Sequence, residues 1–164
     1  MGFQVMTAAR AAAQGAGLKD CKQLVEQART KCGVLFLLNT LEFLRRGGRI
    51  GGGAAFLGTA LNLKPVLEVV DGKVEGIDRI RTWSKAVDRL LDLFEERVGK
   101  RTPVHIAALY GGAGIDVEAQ AVLERASQRF GTGEVTEKLI TSVSPVVGVH
   151  TGPGVIGLAY MAGM

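Results

Sequence analysis

The sequence predicts a two-layer α/β sandwich, with a mixed sheet of about six strands and helices mainly on one face. Three observations carry that expectation. Short apolar runs alternate along the chain with longer stretches of helical periodicity. An Asp71-Gly72 pair between two strand-like runs demands a hairpin, so at least one strand pair is antiparallel and a pure doubly wound sheet is excluded. Glycine is abundant, 23 of 164 residues, without any repeat, which assigns it to turns and close backbone approaches.

In chain order, Thr7 to Ala16 is Ala-rich and favours a helix. Leu18, Cys21, Leu24, Val25, Ala28 and Cys32 then form one apolar stripe, a second helix that Gly33 is expected to stop. Val34 to Leu38 reads as a strand buried on both faces. Thr40 to Arg46 reads as a short helix with Thr40 at its cap and two arginines in its last turn. Five glycines within residues 47–53 make a loop, and a further short helix is expected over 54–61. Pro65 to Val70 and a return strand from Lys73 to Arg81 flank the hairpin turn. Helix 83–98 is the clearest, with Trp83, Val87, Leu90, Leu91, Phe94 and Val98 on one face and Gly99 beyond. Its charges Asp92, Glu95, Glu96 and Arg97 read as a solvated face. Val104 to Leu109 is a strand, 116–130 a helix and Glu134 to Ile140 a strand. His150-Thr-Gly-Pro-Gly154 reads as a turn before a last strand, Val155 to Met161.

Composition narrows the function. The chain is 47% hydrophobic, enough for a sizeable core. A net charge of +4, with dispersed basic residues and only 5% aromatics, argues against nucleic-acid binding. No apolar run approaches the length of a membrane span, and no signal peptide is visible. Cys21 and Cys32 lack metal-ligand spacing, so they read as small buried hydrophobes in a reducing, cytoplasmic setting. No metal or cofactor is expected.

Candidate functional residues sit in the turns. The glycine loop could cradle an anion with its backbone N–H groups and Arg49, although it lacks the Gly-Lys-Ser/Thr ending of a nucleotide loop. Gly152-Pro-Gly154-Val-Ile-Gly157 has dinucleotide-loop spacing but opens a strand, not a helix, so the match is accidental. His105, inside a strand, reads as structural. His150, at the entry to a Gly-Pro-Gly turn and next to Thr151, could donate to a carboxylate or phosphate oxygen. Arg49, Arg79 and Arg81 suit planar oxyanions. Lys64, in an apolar stretch, must snorkel, pair or face a partner.

Together these pieces resemble the DegV family of bacterial fatty-acid-binding proteins. The matching stretches are Leu41-Glu-Phe-Leu-Arg-Arg-Gly-Gly-Arg-Ile50, Leu61-Asn-Leu-Lys-Pro-Val-Leu67 with Asp71-Gly-Lys73, Arg79-Ile-Arg81, and His150-Thr-Gly-Pro-Gly154. The Thr-Asp-Ser stretch and Ser-x-x-Ser-Gly-Thr loop of that family's N-terminal lobe do not occur. The resemblance therefore implies a C-terminal lobe over 19–164, with residues 1–18 linking it to an N-terminal lobe not found here. It further implies that the two lobes hold a long-chain fatty acid in an apolar tunnel. The carboxylate would meet His150, with Thr151, Gly152, Gly154, Gly48, Arg49 and Ile50 nearby. The protein would then be a carrier, not a catalyst. It would present the carboxylate to a separate fatty acid kinase, with Arg79, Arg81 and Lys64 facing the partner or the transferred phosphate. About 15 buried methylenes at roughly 0.8 kcal/mol each bound the binding energy near 12 kcal/mol before ordering costs. Self-association as an isolated lobe and peripheral contact with a membrane are compatible with this reading. The alternatives are a kinase-like enzyme lobe related to dihydroxyacetone kinase and a regulatory binding protein. The first lacks a nucleotide motif and an Asp cluster for Mg²⁺.

Overall fold

The structure, a computed structural model, describes residues 1–56 and 63–164. Along the chain come α1 (Gly2–Ala13), α2 (Leu18–Arg29), β1 (Cys32–Leu37), α3 (Glu42–Arg46), a 3-10 turn (Gly51–Phe56), β2 (Lys64–Val70), β3 (Lys73–Ile80), α4 (Trp83–Val98), β4 (Val104–Gly111), α5 (Asp116–Ser127), β5 (Val135–Ser142), α6 (Pro145–Thr151) and β6 (Val155–Ala162). The six strands form one mixed sheet in the order β3-β2-β1-β6-β4-β5. Only β4 and β5 pair in parallel, across the crossover helix α5. The expected α/β layering and the antiparallel hairpin are both present. Asp71 and Gly72 take φ of 50° and 77° at its tip, as the Asp-Gly pair requires. The helix expected over 54–61 lies partly outside the described residues; Gly51–Phe56 forms the 3-10 turn.

Alternation in the strands divides the core. Leu35, Leu37, Val66, Ile106, Ala108, Ile156, Leu158 and Tyr160 turn toward α4 and α5. α4 buries Ala86, Val87, Leu90, Leu91, Leu93, Phe94 and Val98 against them. Phe94 is fully buried and meets Tyr160 and Phe130 edge to face, with centroids 5.7 and 5.9 Å away. Gly33 does not end α2, which stops at Arg29. It lies inside β1 directly opposite Tyr160, whose ring occupies the space a Cβ would need. Ion pairs fasten the outer sides of α4 and α5: Asp88 to Arg125 at 2.6 Å, and Asp92 and Glu95 to Arg129 at 3.0 and 2.9 Å. Each is exposed and worth well under about 1 kcal/mol. Arg97 departs from the solvated face expected for it. Its Nε reaches both oxygens of Glu68 on β2 at 3.1 Å, so that this buried carboxylate keeps a partner.

The opposite face carries two separate apolar clusters. At one end Phe3 of α1 packs with Ala28, Ala107 and Met161. At the other, Phe36, Leu38, Leu44, Leu67 and Val155 pack with Leu41, Ile50 and Val74. Cys21 and Cys32 are free and only half-buried, and burial pushes the Cys32 thiol up. No helix among the described residues is long and apolar enough to cross a membrane.

α1 is tied to the sheet by charge as well. Arg10 donates to Glu137 of β5 at 2.6 and 3.2 Å, and His105 Nδ1 lies 3.1 Å from the same carboxylate. Arg10 first, then His105, holds the Glu137 carboxyl below the usual range. A lowered folded value means the contact is fully stabilising above the unfolded carboxylate pKa of about 4.3 and is lost as pH falls through the folded one. Acid titration followed by circular dichroism should therefore cost the wild-type more stability below about pH 4 than Glu137→Gln. Parallel acid curves for the two proteins would contradict this.

Candidate functional site

The register of the sheet gathers the candidate residues at one end. Leu37 at the end of β1 lies opposite Ile156 near the start of β6 and Val66 near the start of β2. Ile80, closing β3, lies opposite Lys64, and Gly111, closing β4, lies opposite Val155. The connections leaving β1, β3 and β4 and those entering β2 and β6 therefore converge there.

α6 is the element the sequence did not reveal. The residues expected to be a plain turn include the last turn of this helix, which ends with His150 and Thr151. Its only local signal is Ser144 followed by Pro145, an N-cap residue before a proline in the first turn. The Ser144 hydroxyl accepts from the Val147 N–H at 3.4 Å. Val146, Val147 and Val149 are exposed, so the helix shows no buried stripe. Thr151 is buried and its hydroxyl donates back to the Val147 carbonyl at 3.2 Å. That donor is spent inside α6.

His150 is half-buried, and its ring lies against Gly47, just past the end of α3. A Cβ at Gly47 would overlap Nδ1. That nitrogen is buried and has no hydrogen-bond partner among the described residues. The contact is returned one turn away: the Phe43 ring of α3 covers Gly152, where a Cβ would overlap three ring carbons. Gly152 sits at φ 74° and ψ 178°, a backbone conformation that is essentially glycine's alone.

The glycine turn differs from the anion cradle expected of it. The N–H groups of Gly47, Gly48 and Arg49 donate to the Phe43, Arg45 and Leu44 carbonyls at 2.9–3.1 Å. They close the C-terminus of α3 and are not turned to a ligand. The exposed Arg49 guanidinium donates to the Gly47 carbonyl at 3.0 Å, so Arg49 and His150 share Gly47. Glu42 engages Arg45 and Arg46, which pull its carboxyl down to about 2. Ile50 turns inward onto the Phe36–Leu38–Leu44–Leu67–Val155 cluster.

Lys64 joins the group through Asn39, which follows β1. Its Nζ donates to Asn39 Oδ1 at 3.3 Å, and Asn39 Nδ2 donates to the Pro153 carbonyl at 3.5 Å. Asn39 also fills the place a Cβ on Gly154 would take. Arg79 and Arg81 share this end of the sheet but lie at its β3 edge, with Arg79 opposite Pro65. Asn39 has no mark in the sequence, and Phe43 stands there only as one position of the stretch 41–50; their roles come from contacts with residues 152–154. A groove of about 260 Å³ between α1, α2 and the end of β6, lined by Arg10, Leu24, His105 and Met161, lies at the other end of the sheet.

The family model described as "Uncharacterised protein, DegV family" matches residues 1–163. The chain belongs to the DegV family. A DegV domain-containing protein of Clostridium acetobutylicum is 35% identical over 98% of this chain and 54% of its own length. One from Streptomyces coelicolor is 34% identical over 96% of this chain and 54% of its own. Among solved structures, a fatty acid binding DegV family protein from Thermus thermophilus superposes with a TM-score of 0.87 at 37% identity, covering 98% of this chain and 56% of that one. DegV of Bacillus subtilis, a fatty acid binding protein, superposes with a TM-score of 0.78 at 27% identity, covering 98% and 56%. The chain thus spans about half the length of these DegV proteins and shares their mixed six-stranded α/β fold.

Proposed function

We propose that this chain is the C-terminal lobe of a DegV fatty acid carrier. Residues 19–164 form the lobe and residues 1–18 are the segment linking it to a second lobe. The observation that carries the reading is the half-buried imidazole of His150, held on Gly47 at the end of the helix whose Leu44 joins the apolar cluster of Phe36, Leu38, Leu67 and Val155. A carboxylate removed from water needs a donor, or it is neutralised or expelled. With Nδ1 turned against Gly47, Nε2 is the nitrogen left to meet it. The apolar surface supplies affinity and the imidazole supplies orientation. The fatty acid binding of the Thermus and Bacillus relatives supports the same ligand class.

In this reading the carrier performs no chemistry on the acid. A separate fatty acid kinase phosphorylates the presented carboxylate to an acyl phosphate. Arg49, Arg79, Arg81 and Lys64, all at the His150 end of the sheet, form the basic face that meets the kinase. Organic extraction and mass spectrometry of the protein as purified from its host should recover a long-chain fatty acid. Recovery of a nucleotide and no lipid would favour the kinase-like reading instead. In the protein carrying both lobes, His150→Ala should weaken palmitate binding by about tenfold or more in calorimetric titration, the loss of one hydrogen bond to a charged group. An unchanged affinity would remove His150 from the site.

A further inference from the structure

α3 and α6 are joined by two rings, each laid on a glycine of the other segment. His150 of α6 rests on Gly47 and Phe43 of α3 rests on Gly152. The two points on α3 are directly coupled, because the Gly47 N–H donates to the Phe43 carbonyl at 2.9 Å. The two points on the other side are separated only by Thr151, which is buried and bonded back into α6. Among the described residues, α3 is the element that α6 meets most extensively. Three of its valines are exposed, and its Gly148 has open space where a Cβ would be. The position of the imidazole therefore depends on whatever fixes Gly152, and the Phe43 ring covers that residue.

We propose that Phe43 is a positioning residue for His150: its ring on Gly152 fixes the end of α6 so that the imidazole seats on Gly47. Phe43 does not act on the ligand in this role. It works through His150, and only its consequence for lipid affinity rests on the carrier reading above. A flat ring suits the task because glycine leaves a flat, bare backbone. An aliphatic side chain of similar bulk would hold the two segments together without specifying the angle between them.

The chain has an internal control. It contains two histidines, and His105 lies at the other end of the sheet, held by Glu137 and the Met164 carbonyl. Long-range proton–nitrogen NMR spectra of the imidazoles in the 164-residue chain report the two rings separately. Phe43→Leu should move the His150 ring signals toward those of a freely averaging imidazole and leave His105 in place. Phe43→Tyr, which keeps the ring, should preserve both. Phe43→Ala should show the larger His150 change. If it unfolds the chain, both histidines move together and the leucine and tyrosine variants decide.

An unmoved His150 in the folded leucine variant would overturn the proposal. So would equal shifts of the two histidines in that variant, since those would report general loosening. Palmitate titration of the protein carrying both lobes then separates the two ideas. Phe43→Leu should weaken binding by up to about tenfold, the effect of a misplaced hydrogen-bond donor. If Phe43→Leu frees the His150 ring while His150→Ala leaves palmitate affinity intact, the positioning role stands and the carrier reading fails.

Discussion

Phe94→Ala is expected to lower stability by about 4 kcal/mol, the usual cost of deleting a fully buried aromatic ring. For a chain of this size that corresponds to a fall in melting temperature of roughly 12 °C. Phe94 is 0% exposed and lies between α4 and the sheet, edge-on to Tyr160 of β6 and Phe130 after α5. Its removal strips contacts from three elements together. Tyr160 is held in turn by the Arg101 guanidinium 5.7 Å above its ring and by Gly33 beneath it, so it cannot slide into the vacated space. Relaxation is limited on each side, so the site cannot collapse to reduce that cost. Thermal or denaturant unfolding measures it. A fall of only one or two degrees would mean that the core collapses onto the cavity far more readily than these contacts allow.

Gly152→Ala should be nearly as damaging, for a different reason. The backbone at φ 74° and ψ 178° disfavours any side chain by about 1–3 kcal/mol. The new methyl would also strike the Phe43 ring, and overpacking of this kind adds about 1–3 kcal/mol. A total near 3 kcal/mol is expected. The two parts can be separated. In a double-mutant cycle with Phe43→Ala the steric part disappears and the backbone part stays, so a coupling of about 1 kcal/mol is expected. Strict additivity would show that ring and glycine are not in contact. Unlike Phe94→Ala, this change acts at the candidate site, so it should displace the His150 ring even where the chain stays folded.

The parts of the fold legible in the sequence are those in which local pattern and tertiary role coincide. Helix 83–98 shows its buried face at regular spacing, and α4 has those limits in the structure. Asp71-Gly72 announces its hairpin because it is one of the few pairs that accept positive φ at both positions. α6 was illegible because its valines face outward and a glycine interrupts it, leaving no periodic stripe. Gly33 was misleading because a glycine after an apolar stripe resembles a helix stop, whereas its reason for being small is Tyr160, far along the chain.

The candidate site shows the same division. His150 and Arg49 stand out by residue type, but their meeting at Gly47 is a product of the sheet register. The glycine turn looks like an open cradle in the sequence, which does not show which N–H groups a preceding helix will claim. Asn39 carries no local mark and Phe43 none beyond its place in the stretch 41–50, since what distinguishes them is contact with residues 152–154.

The strand order has a consequence for how the molecule is made. β6, the last strand of the chain, lies between β1 and β4, joining the β3-β2-β1 ribbon to the β4-β5 pair. During synthesis the two ribbons emerge from the ribosome with no hydrogen bonds between them, each showing an unsatisfied edge. They can become one sheet only when the final strand slots into the gap. Nascent chains stalled before Val155 should accordingly remain sensitive to protease and bind chaperones, and emergence of β6 should bring protection to the whole sheet in a single step.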